Sequence, residues 1–214
     1  MTVSESTRKS RLPAGERRAM VVDAALGEFA RRGYEAASLG RIAAAAGISR
    51  TALYDHFASK HELFVELLTS HHKALIAFIG EPFAMDAPLR ERMRLVFDAF
   101  FRFAEERPLA WQLLFPDRPP LDERAAAEHR RRRADANRLL AQIIEREVRC
   151  TDVDPDSAVG RAIFTIHQEA MHGAARWWRH HPEVPREELV RAMMATLWTG
   201  LGAVERDEPW VQDR

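Results

Sequence analysis

The sequence predicts an all-α protein in which a small N-terminal module precedes a larger C-terminal helical bundle. Apolar residues recur at helical spacing along most of the chain, as in Val22, Leu26 and Phe29 at positions i, i+4 and i+7. No segment stands out with the strict alternation of apolar and polar residues that marks a half-buried strand. The 214 residues are enough to bury a continuous core in two modest domains.

Glycine and serine mark the ends of the first helices. Gly33 and Gly47 each follow a helical pattern and are typical helix terminators. Ser38, Ser49 and Ser59 each precede a helical pattern, where a hydroxyl can accept from the free amides of the first turn. The starts of the second, third and fourth helices are therefore each marked by a serine.

Proline separates the later helices. Ser59 and Glu62 have capping-box spacing at the start of the fourth helix, and Pro82 follows its end. Pro116 ends the sixth helix, and residues 151–155 precede the eighth. The predicted helices are 14–32, 38–46, 49–56, 59–80, 87–106, 108–115, 121–149, 155–181 and 185–205.

Composition predicts a soluble, cytoplasmic protein. The longest largely apolar run, residues 193–204, is too short to span a membrane, and residues 1–15 lack the apolar stretch of a signal peptide. Cys150 is the single cysteine, which excludes an intramolecular disulfide and fits a reducing compartment. The net charge is zero, but residues 1–60 carry ten basic against six acidic side chains, an excess of four positive charges. The basic end of the chain is N-terminal.

Residues 42–57, IAAAAGISRTALYDHF, have the pattern of a helix-turn-helix. Ala43 is small where two helices cross, and Gly47 supplies the turn. The second helix is held on one face by Ile48, Leu53 and Phe57. Its other face is polar and fits the major groove of DNA. This face comprises Ser49, Arg50, Thr51, Tyr54 and Asp55.

The segment Gly33 to Phe64 resembles the DNA-binding segment of TetR-family regulators, and the resemblance extends over residues 15–64. The matching positions are Gly33-Tyr34, Ile42-Ala43, Ala46-Gly47, Leu53-Tyr54, His56-Phe57 and Ser59-Lys60. The resemblance implies a homodimer whose third helices enter successive major grooves of an operator. It also implies a C-terminal domain that binds a small effector and releases the DNA, usually as a repressor. The implied domains are a tail 1–13, a helix-turn-helix domain 14–60 and an effector-binding and dimerisation domain 61–214.

Carried over by position, Tyr54 matches an aromatic residue that contacts sugar-phosphate or base edges, and His56 and Lys60 match phosphate contacts. The full predicted DNA-binding set is Ser38, Ser49, Arg50, Thr51, Tyr54, His56 and Lys60. The alternatives are Tyr54 as a core residue and His56 and Lys60 as solvated surface. Asp55 would repel phosphate, so it is a reader of cytosine or a surface residue. Ala37, Gly40-Arg41 and Thr51 depart from the family pattern, so no operator sequence can be transferred.

Four consecutive arginines, Arg130 to Arg133, offer a second nucleic-acid interpretation because they could neutralise phosphates. Consecutive positions on a helix are spread around its circumference, however, and Glu128 and Asp135 lie nearby. A solvated, salt-bridged face is the favoured interpretation.

The C-terminal helices predict a pocket for a largely apolar small-molecule effector. A pocket needs an apolar wall with a few polar groups, and His167 and Gln168 lie one turn from Phe164 and Met171. The predicted lining is Phe100, Phe103, Trp111, Phe115, Phe164, His167, Gln168 and Met171. The alternative for His167 is a hydrogen-bonded core residue. The fourth helix, at 1.5 Å per residue, spans roughly 30 Å and could transmit a ligand-induced tilt to the DNA-binding module.

An apolar stripe near the C-terminus predicts a dimer interface, because it is too apolar to stay exposed on a small domain. It comprises Val190, Met193, Met194, Leu197, Trp198 and Leu201. The eighth and ninth helices of two subunits would then form a four-helix interface around a twofold axis.

Other function classes have weaker support. Glu169 and His172 have the Glu-x-x-His spacing of di-iron bundles, but such a site needs a second pair and two further glutamates. Cys150 has no local catalytic signature, and no Gly-x-Ser-x-Gly motif occurs. We therefore predict no enzyme activity, metal or cofactor. A pure protein-interaction module is the other alternative, and the retained polar face around Arg50 argues against it.

Overall fold

The computed structural model describes residues 13–148, 154 and 157–198. These residues form helices and no strand, which confirms the predicted fold class. The α-helices of the described part are α1 Ala14–Ala36, α2 Leu39–Ala45, α3 Arg50–Tyr54, α4 Lys60–Gly80, α5 Leu89–Glu106, α6 Pro108–Leu114, α7 Glu123–Val148, α8 Ala158–Trp178 and α9 Arg186–Met193. A 3-10 turn, Glu81–Ala84, follows α4, and a π-helical turn, Met194–Trp198, follows α9. Residues 199–205 of the predicted ninth helix lie outside the described residues.

Gly33 interrupts α1 at the position where the sequence predicted its end. Its φ of 74° lies in the left-handed region, which glycine adopts without steric cost. One further helical turn follows, and the amide of Ala37 closes it by donating to the carbonyl of Gly33 at 3.2 Å. The helix therefore extends to Ala36, and the extra turn carries Glu35 toward the C-terminal domain.

The N-terminal module consists of α1, α2 and α3 around a small apolar core. Gly47, with φ 67°, turns the chain between α2 and α3, and the amide of Ile48 donates to Ala43 at 3.0 Å. Leu53 and Phe57 are buried in the core, as predicted. The Ser49 hydroxyl accepts from the amide of Ala52 at 3.1 Å, which fixes the start of α3.

Ser59 caps the start of α4, and Glu62 bonds back to the residue before the cap instead of to Ser59 itself. The Ser59 hydroxyl accepts from the amide of Glu62 at 3.1 Å, and the Glu62 carboxylate accepts from the amide of Ala58 at 2.8 Å. Ser38, by contrast, makes no side-chain cap, although it precedes α2 as predicted. Residues 60–84 are long and apolar enough to cross a membrane by length and composition alone. Leu67, at the centre of α4, is fully buried, as in the core helix of a folded domain.

The C-terminal domain packs α4 against α5 and α7, and α6 lies against α1 of the N-terminal module. Its core is dominated by aromatic side chains of α5 and α6. These are Phe97, Phe100, Phe101, Phe103 and Trp111. α9 packs on α5, where the Arg186 guanidinium donates to Asp98 at 2.9 Å and also bonds Glu105.

The predicted dimer stripe is corrected at two positions. Val190 and Met193 are only 4% and 7% exposed in the single chain, because they pack in its own core where α9 meets α5. Met194 and Leu197 are partly buried against the same core. The side chain of Trp198 and all of Leu201 lie outside the described residues.

Candidate DNA-binding surface and effector cavity

α3 presents its polar face to solvent because its apolar face is held by the core. Leu53 is completely buried, whereas Arg50, Thr51 and Asp55 are exposed. Tyr54 is 44% exposed, so the alternative that it is a core residue is wrong. Together with Ser49 at the helix start, these side chains form a continuous polar surface on one short helix.

Arg50 and Tyr54 lie one helical turn apart and contact each other. The Arg50 guanidinium is 3.4 Å from the Tyr54 hydroxyl and 5.8 Å from the centroid of the Tyr54 ring. This contact holds both side chains on the outer face of α3. A cation and an aromatic hydroxyl side by side can meet a phosphate and a base edge together.

Lys60 has a position that the sequence did not predict. Its ammonium donates to the carbonyl of Tyr34 at 2.8 Å and lies 3.4 Å from the carbonyls of Glu35 and Ala37. It also lies 4.4 Å from the centroid of the Tyr34 ring. An ammonium has three donors, so in this structure Lys60 closes the C-terminal end of α1. His56 is half-buried and lies in the segment between α3 and α4.

Glu28 fixes α2 against α1. Its carboxylate accepts from the Arg41 guanidinium at 2.6 Å and from the amide of Ser38 at 3.2 Å. Arg32 is a second, longer partner at 3.4 Å. The side chain of Glu28 is only 12% exposed, so these bonds orient the start of α2 and hence Ser38. Nothing in the helical pattern of the sequence indicated this brace.

Glu35 connects the N-terminal module to the C-terminal domain. Its carboxylate accepts from the amides of Leu121 and Asp122, at 2.7 and 2.9 Å, just before α7 begins. The hydrogen bond from the Asp122 amide is the main reason that the pKa of Glu35 is lowered. The carboxylate also lies at the positive end of the α7 dipole, which favours its ionised form.

A cavity of about 250 Å³ lies between α6, α7 and α8. Its apolar wall consists of Trp111, Leu114, Phe115, Pro116 and Pro119. Its polar lining consists of His129, Arg130, Arg133, Glu169, His172 and Arg176. The cavity therefore has the mixture of an apolar wall and convergent polar groups that small-molecule sites require.

Only part of the predicted pocket lines this cavity. Trp111 and Phe115 do so, and Phe100 lies behind them with its ring centroid 5.0 Å from that of Trp111. The other predicted residues do not line it. These are Phe103, Phe164, His167, Gln168 and Met171. The Nδ1 atom of His167 lies 2.8 Å from the carbonyl of Ile163 on its own helix, which corresponds to the hydrogen-bonded alternative.

His172 lines the cavity from α8. It is 6% exposed, and its ring centroid lies 4.4 Å from that of Phe115. Burial, together with the positive charges of Arg133 and Arg176, lowers its pKa to about 3. The ring is therefore neutral at pH 7, and its Nδ1 accepts from the Arg133 guanidinium at 3.4 Å. Sequence reasoning had weighed His172 only as a metal ligand.

Glu169 forms an ion pair with Arg133. Its carboxylate accepts from the Arg133 guanidinium at 2.5 Å and lies 3.9 Å from Nδ1 of His172. Among the described residues, no group of three or more His, Cys, Asp or Glu could hold a metal ion. His129, another polar residue of the lining, is 8% exposed, and its Nε2 has no hydrogen-bond partner.

The four consecutive arginines on α7 form the predicted salt-bridged face. Arg130 pairs with Glu123 at 3.0 Å. Arg131 and Arg132 share Glu128, at 3.9 and 2.6 Å. The structure adds that Arg130 and Arg133 also line the cavity, because positions three apart share one face of the helix.

A helix-turn-helix carried on a larger helical domain is the architecture of a DNA-binding regulator. Residues 21–67 match the family model described as bacterial regulatory proteins of the tetR family. Residues 86–201 match the model described as the tetracyclin repressor-like C-terminal domain. The chain therefore belongs to the TetR family of DNA-binding transcriptional regulators.

Individual relatives agree with this assignment. The HTH-type transcriptional activator FasR of Mycolicibacterium smegmatis is 28% identical over 198 residues, which cover 92% of this chain and 88% of that protein. The HTH-type transcriptional regulator AcrR of Shigella flexneri is 45% identical over 60 residues, 28% of each chain. The structure of FadR from Bacillus subtilis in complex with stearoyl-CoA has a TM-score of 0.70 at 16% identity, covering 84% of this chain and 96% of that one. This last similarity is one of fold alone.

Proposed function

We propose that this protein is a homodimeric transcriptional regulator that binds a palindromic operator through α3 and releases it when a small molecule occupies the C-terminal cavity. The exposed polar face of α3 carries this proposal, because Ser49 caps the helix and the buried Leu53 fixes its rotation. The side chains facing outward are then Arg50, Thr51 and Tyr54. Ser38, His56 and Lys60 remain in the proposed contact set at its edges.

The proposed dimer interface lies mainly on α8. Three of its large apolar side chains are exposed in the single chain: Val159 at 65%, Ile166 at 60% and Trp177 at 47%. Ala162 and Gly173 are exposed on the same face. The five positions 159, 162, 166, 173 and 177 follow one another at three, four, seven and four residues, which is the spacing of a single helix face. An exposed apolar stripe of this length is typical of a surface that a partner helix covers. We also assign the end of α9 and the π-helical turn after it to this interface.

Two connections could carry a signal from the cavity to α3. Pro116 and Pro119 line the cavity in the segment between α6 and α7, and that segment ends at the amides bonded to Glu35. α4 provides the second connection, because its first residue, Lys60, bonds the end of α1. A ligand that displaces α6 or α7 would therefore shift the N-terminal module, provided that it binds the displaced state more tightly.

Selection of bound duplexes from a random DNA pool tests the proposed DNA binding. We expect sites with dyad symmetry whose half-sites are about one helical turn apart, and affinities that fall steeply with salt. Arg50→Ala should weaken binding to the selected site by about tenfold or more. Arg131→Ala, an exposed arginine paired with Glu128 on α7, is the matched control and should bind as wild type does. Sites without symmetry would contradict the dimeric mode.

The direction of regulation is the finer part of the proposal. Repression by promoter occlusion is the effect that the family resemblance implies. Activation is the second candidate, because the relative that matches over 92% of this chain is named a transcriptional activator. A reporter driven by a promoter containing the selected site distinguishes them. Loss of the protein should raise reporter expression if it represses and lower it if it activates.

A further inference from the structure

The charges around the cavity are unbalanced. Three guanidinium groups line it, those of Arg130, Arg133 and Arg176, against the single carboxylate of Glu169. The histidines do not change this balance, since burial keeps the pKa of His129 and His172 below the ordinary value. Arg130 is itself paired with Glu123 at 3.0 Å, so Arg133 and Arg176 against Glu169 leave an excess of one positive charge, which favours an anionic ligand.

The remaining wall is apolar and aromatic. The ring centroids of Trp111 and Phe115 are 4.3 Å apart, and the His172 ring lies 4.4 Å from Phe115 on its other side. Pro116 and Pro119 extend this wall. A volume of about 250 Å³ is just below the roughly 300–1,000 Å³ of pockets for drug-sized ligands, so the ligand body is of the size of one substituted ring.

Arg133 already binds a carboxylate in this cavity. Its guanidinium donates to Glu169 at 2.5 Å and to Nδ1 of His172 at 3.4 Å. The Glu169 side chain is 57% exposed, so it can rotate into water at little cost, whereas the His172 side chain is 8% exposed and stays in place. Glu169 therefore occupies the position that the acid group of a ligand would take.

We propose that the cavity binds a small aromatic carboxylate. Its ring packs against Trp111 and Phe115, and its carboxylate replaces Glu169 as the partner of Arg133, with Arg176 as the second cation. His172 holds Arg133 in position by accepting one of its hydrogen bonds. The identity of this ligand as the effector rests on the proposed function, but its binding to the protein does not.

Calorimetric titration with benzoate and phenylacetate tests the proposal, with benzamide and phenylacetamide as uncharged counterparts of the same shape. We expect the two carboxylates to bind and the two amides to bind at least about tenfold more weakly, because hydrogen bonds to charged groups are the stronger ones. Phenyl phosphate and stearoyl-CoA are further probes. Tighter binding of either of these two than of both carboxylates would overturn the assignment.

Three variants give different expected results. Arg133→Gln should weaken benzoate binding by about tenfold, and Glu169→Gln should strengthen it, because the internal competitor loses its charge. Arg131→Gln, which lies outside the cavity, should leave it unchanged. Since Arg133→Gln could also disturb packing, the opposite effect of Glu169→Gln is the decisive one. Weaker binding to Glu169→Gln, or equal binding to all three variants, would overturn the proposal.

Binding of the selected operator, followed by fluorescence anisotropy, separates this proposal from the proposed function. If the protein binds the operator and no carboxylate, the ligand assignment is wrong and the DNA-binding function stands. If the carboxylates bind with the expected variant pattern but the protein binds no DNA, the ligand assignment stands and the function is wrong.

Discussion

The carboxylate of Glu35 in the N-terminal module accepts a hydrogen bond of 2.7 Å from the amide of Leu121, in the segment that leads into α7. The two residues are 86 positions apart, and the contact joins the proposed DNA-binding module to the helix that lines the cavity. Helix N-termini have free amides that a carboxylate satisfies well. The bond therefore fixes the position of α7 relative to α1.

Glu35→Ala is expected to weaken the contact between α1 and the start of α7. It should lower the free energy of unfolding by about 1 kcal/mol, the usual cost of losing a helix-capping side chain. It should also reduce the effect of a cavity ligand on operator affinity while leaving the ligand affinity itself unchanged. Urea unfolding and ligand titration measure the two effects. Glu16→Ala, another exposed acid on α1, serves as control, and equal behaviour of both variants would contradict a coupling role for Glu35.

The three buried histidines predict how stability depends on pH. His72, His129 and His172 are the buried polar or charged residues of the described chain, and burial lowers the pKa of each, to about 4 for His72 and about 3 for His172. Near pH 5 the unfolded chain binds protons at His72 and His172 and the folded chain does not, and the lowered pKa of His129 acts in the same direction. Stability therefore falls as the pH decreases below about 6.5, the ordinary pKa of histidine.

The arginines near two of these rings act in the same direction, whereas the Glu169 carboxylate, 3.9 Å from Nδ1 of His172, acts in the opposite direction. Arg132 and Arg133 lie near His72, and Arg133 and Arg176 lie near His172, so each of these arginines opposes protonation of the ring that it faces. His172→Gln should reduce the pH dependence of unfolding between pH 6 and 5 by up to about 1.4 kcal/mol per pH unit. His180→Gln, an exposed histidine, should not. Wild-type stability that stays constant from pH 7 to 5 would contradict neutral buried rings.

Ile166→Glu tests the proposed dimer interface on α8. Ile166 is 60% exposed in the single chain, so a glutamate there should leave the subunit folded but place a charge inside an apolar interface. We expect a folded monomer by sedimentation equilibrium and circular dichroism. Met85→Glu changes another exposed apolar residue, 49% exposed and outside α8, and should remain dimeric. An intact Ile166→Glu dimer would remove α8 from the interface.

Lys60 is expected to contribute to the stability of the protein, and Tyr54 to its binding of DNA. Lys60→Ala should lower the free energy of unfolding by about 1 to 2 kcal/mol, because its ammonium bonds the last carbonyls of α1. Tyr54→Ala should weaken operator binding with little effect on stability, since the ring is exposed. Lys73→Ala, an exposed lysine on the same helix α4, is the control for the first variant.

The salt dependence of operator binding determines whether Lys60 also contacts phosphate. A phosphate contact would reduce the slope of log affinity against log salt by about one unit in Lys60→Ala. Reduced stability with an unchanged slope would assign Lys60 to the structure of the module alone. In that case the phosphate role carried over from the family would not hold for this chain.

The sequence was most informative where a feature depends on neighbouring residues. Helical spacing and caps located α3, and the burial of Leu53 then determined its outer face. The bond between Glu35 and Leu121 joins residues 86 positions apart and has no local pattern. Periodicity also marked Val190 as buried, but it could not show whether the residue packs against its own chain or a partner.

The cavity shows the same limitation. Aromatic residues of α6 were recognised as apolar, and Trp111 and Phe115 do line it. Which face of α8 meets them depends on how the helix is rotated in the bundle, so His172 lines the cavity and Phe164 does not. The arginine run was correctly interpreted as salt-bridged, yet only the packing of α7 shows that Arg133 points toward the cavity.

The most direct test of the account is a calorimetric titration of phenylacetate into the protein alone and into the protein saturated with its selected operator. Binding free energies are linked, so a ligand that releases DNA must itself bind more weakly when DNA is present. We predict a lower phenylacetate affinity in the complex, by the same factor by which phenylacetate lowers operator affinity. Equal phenylacetate affinity with and without operator would contradict the proposed release mechanism.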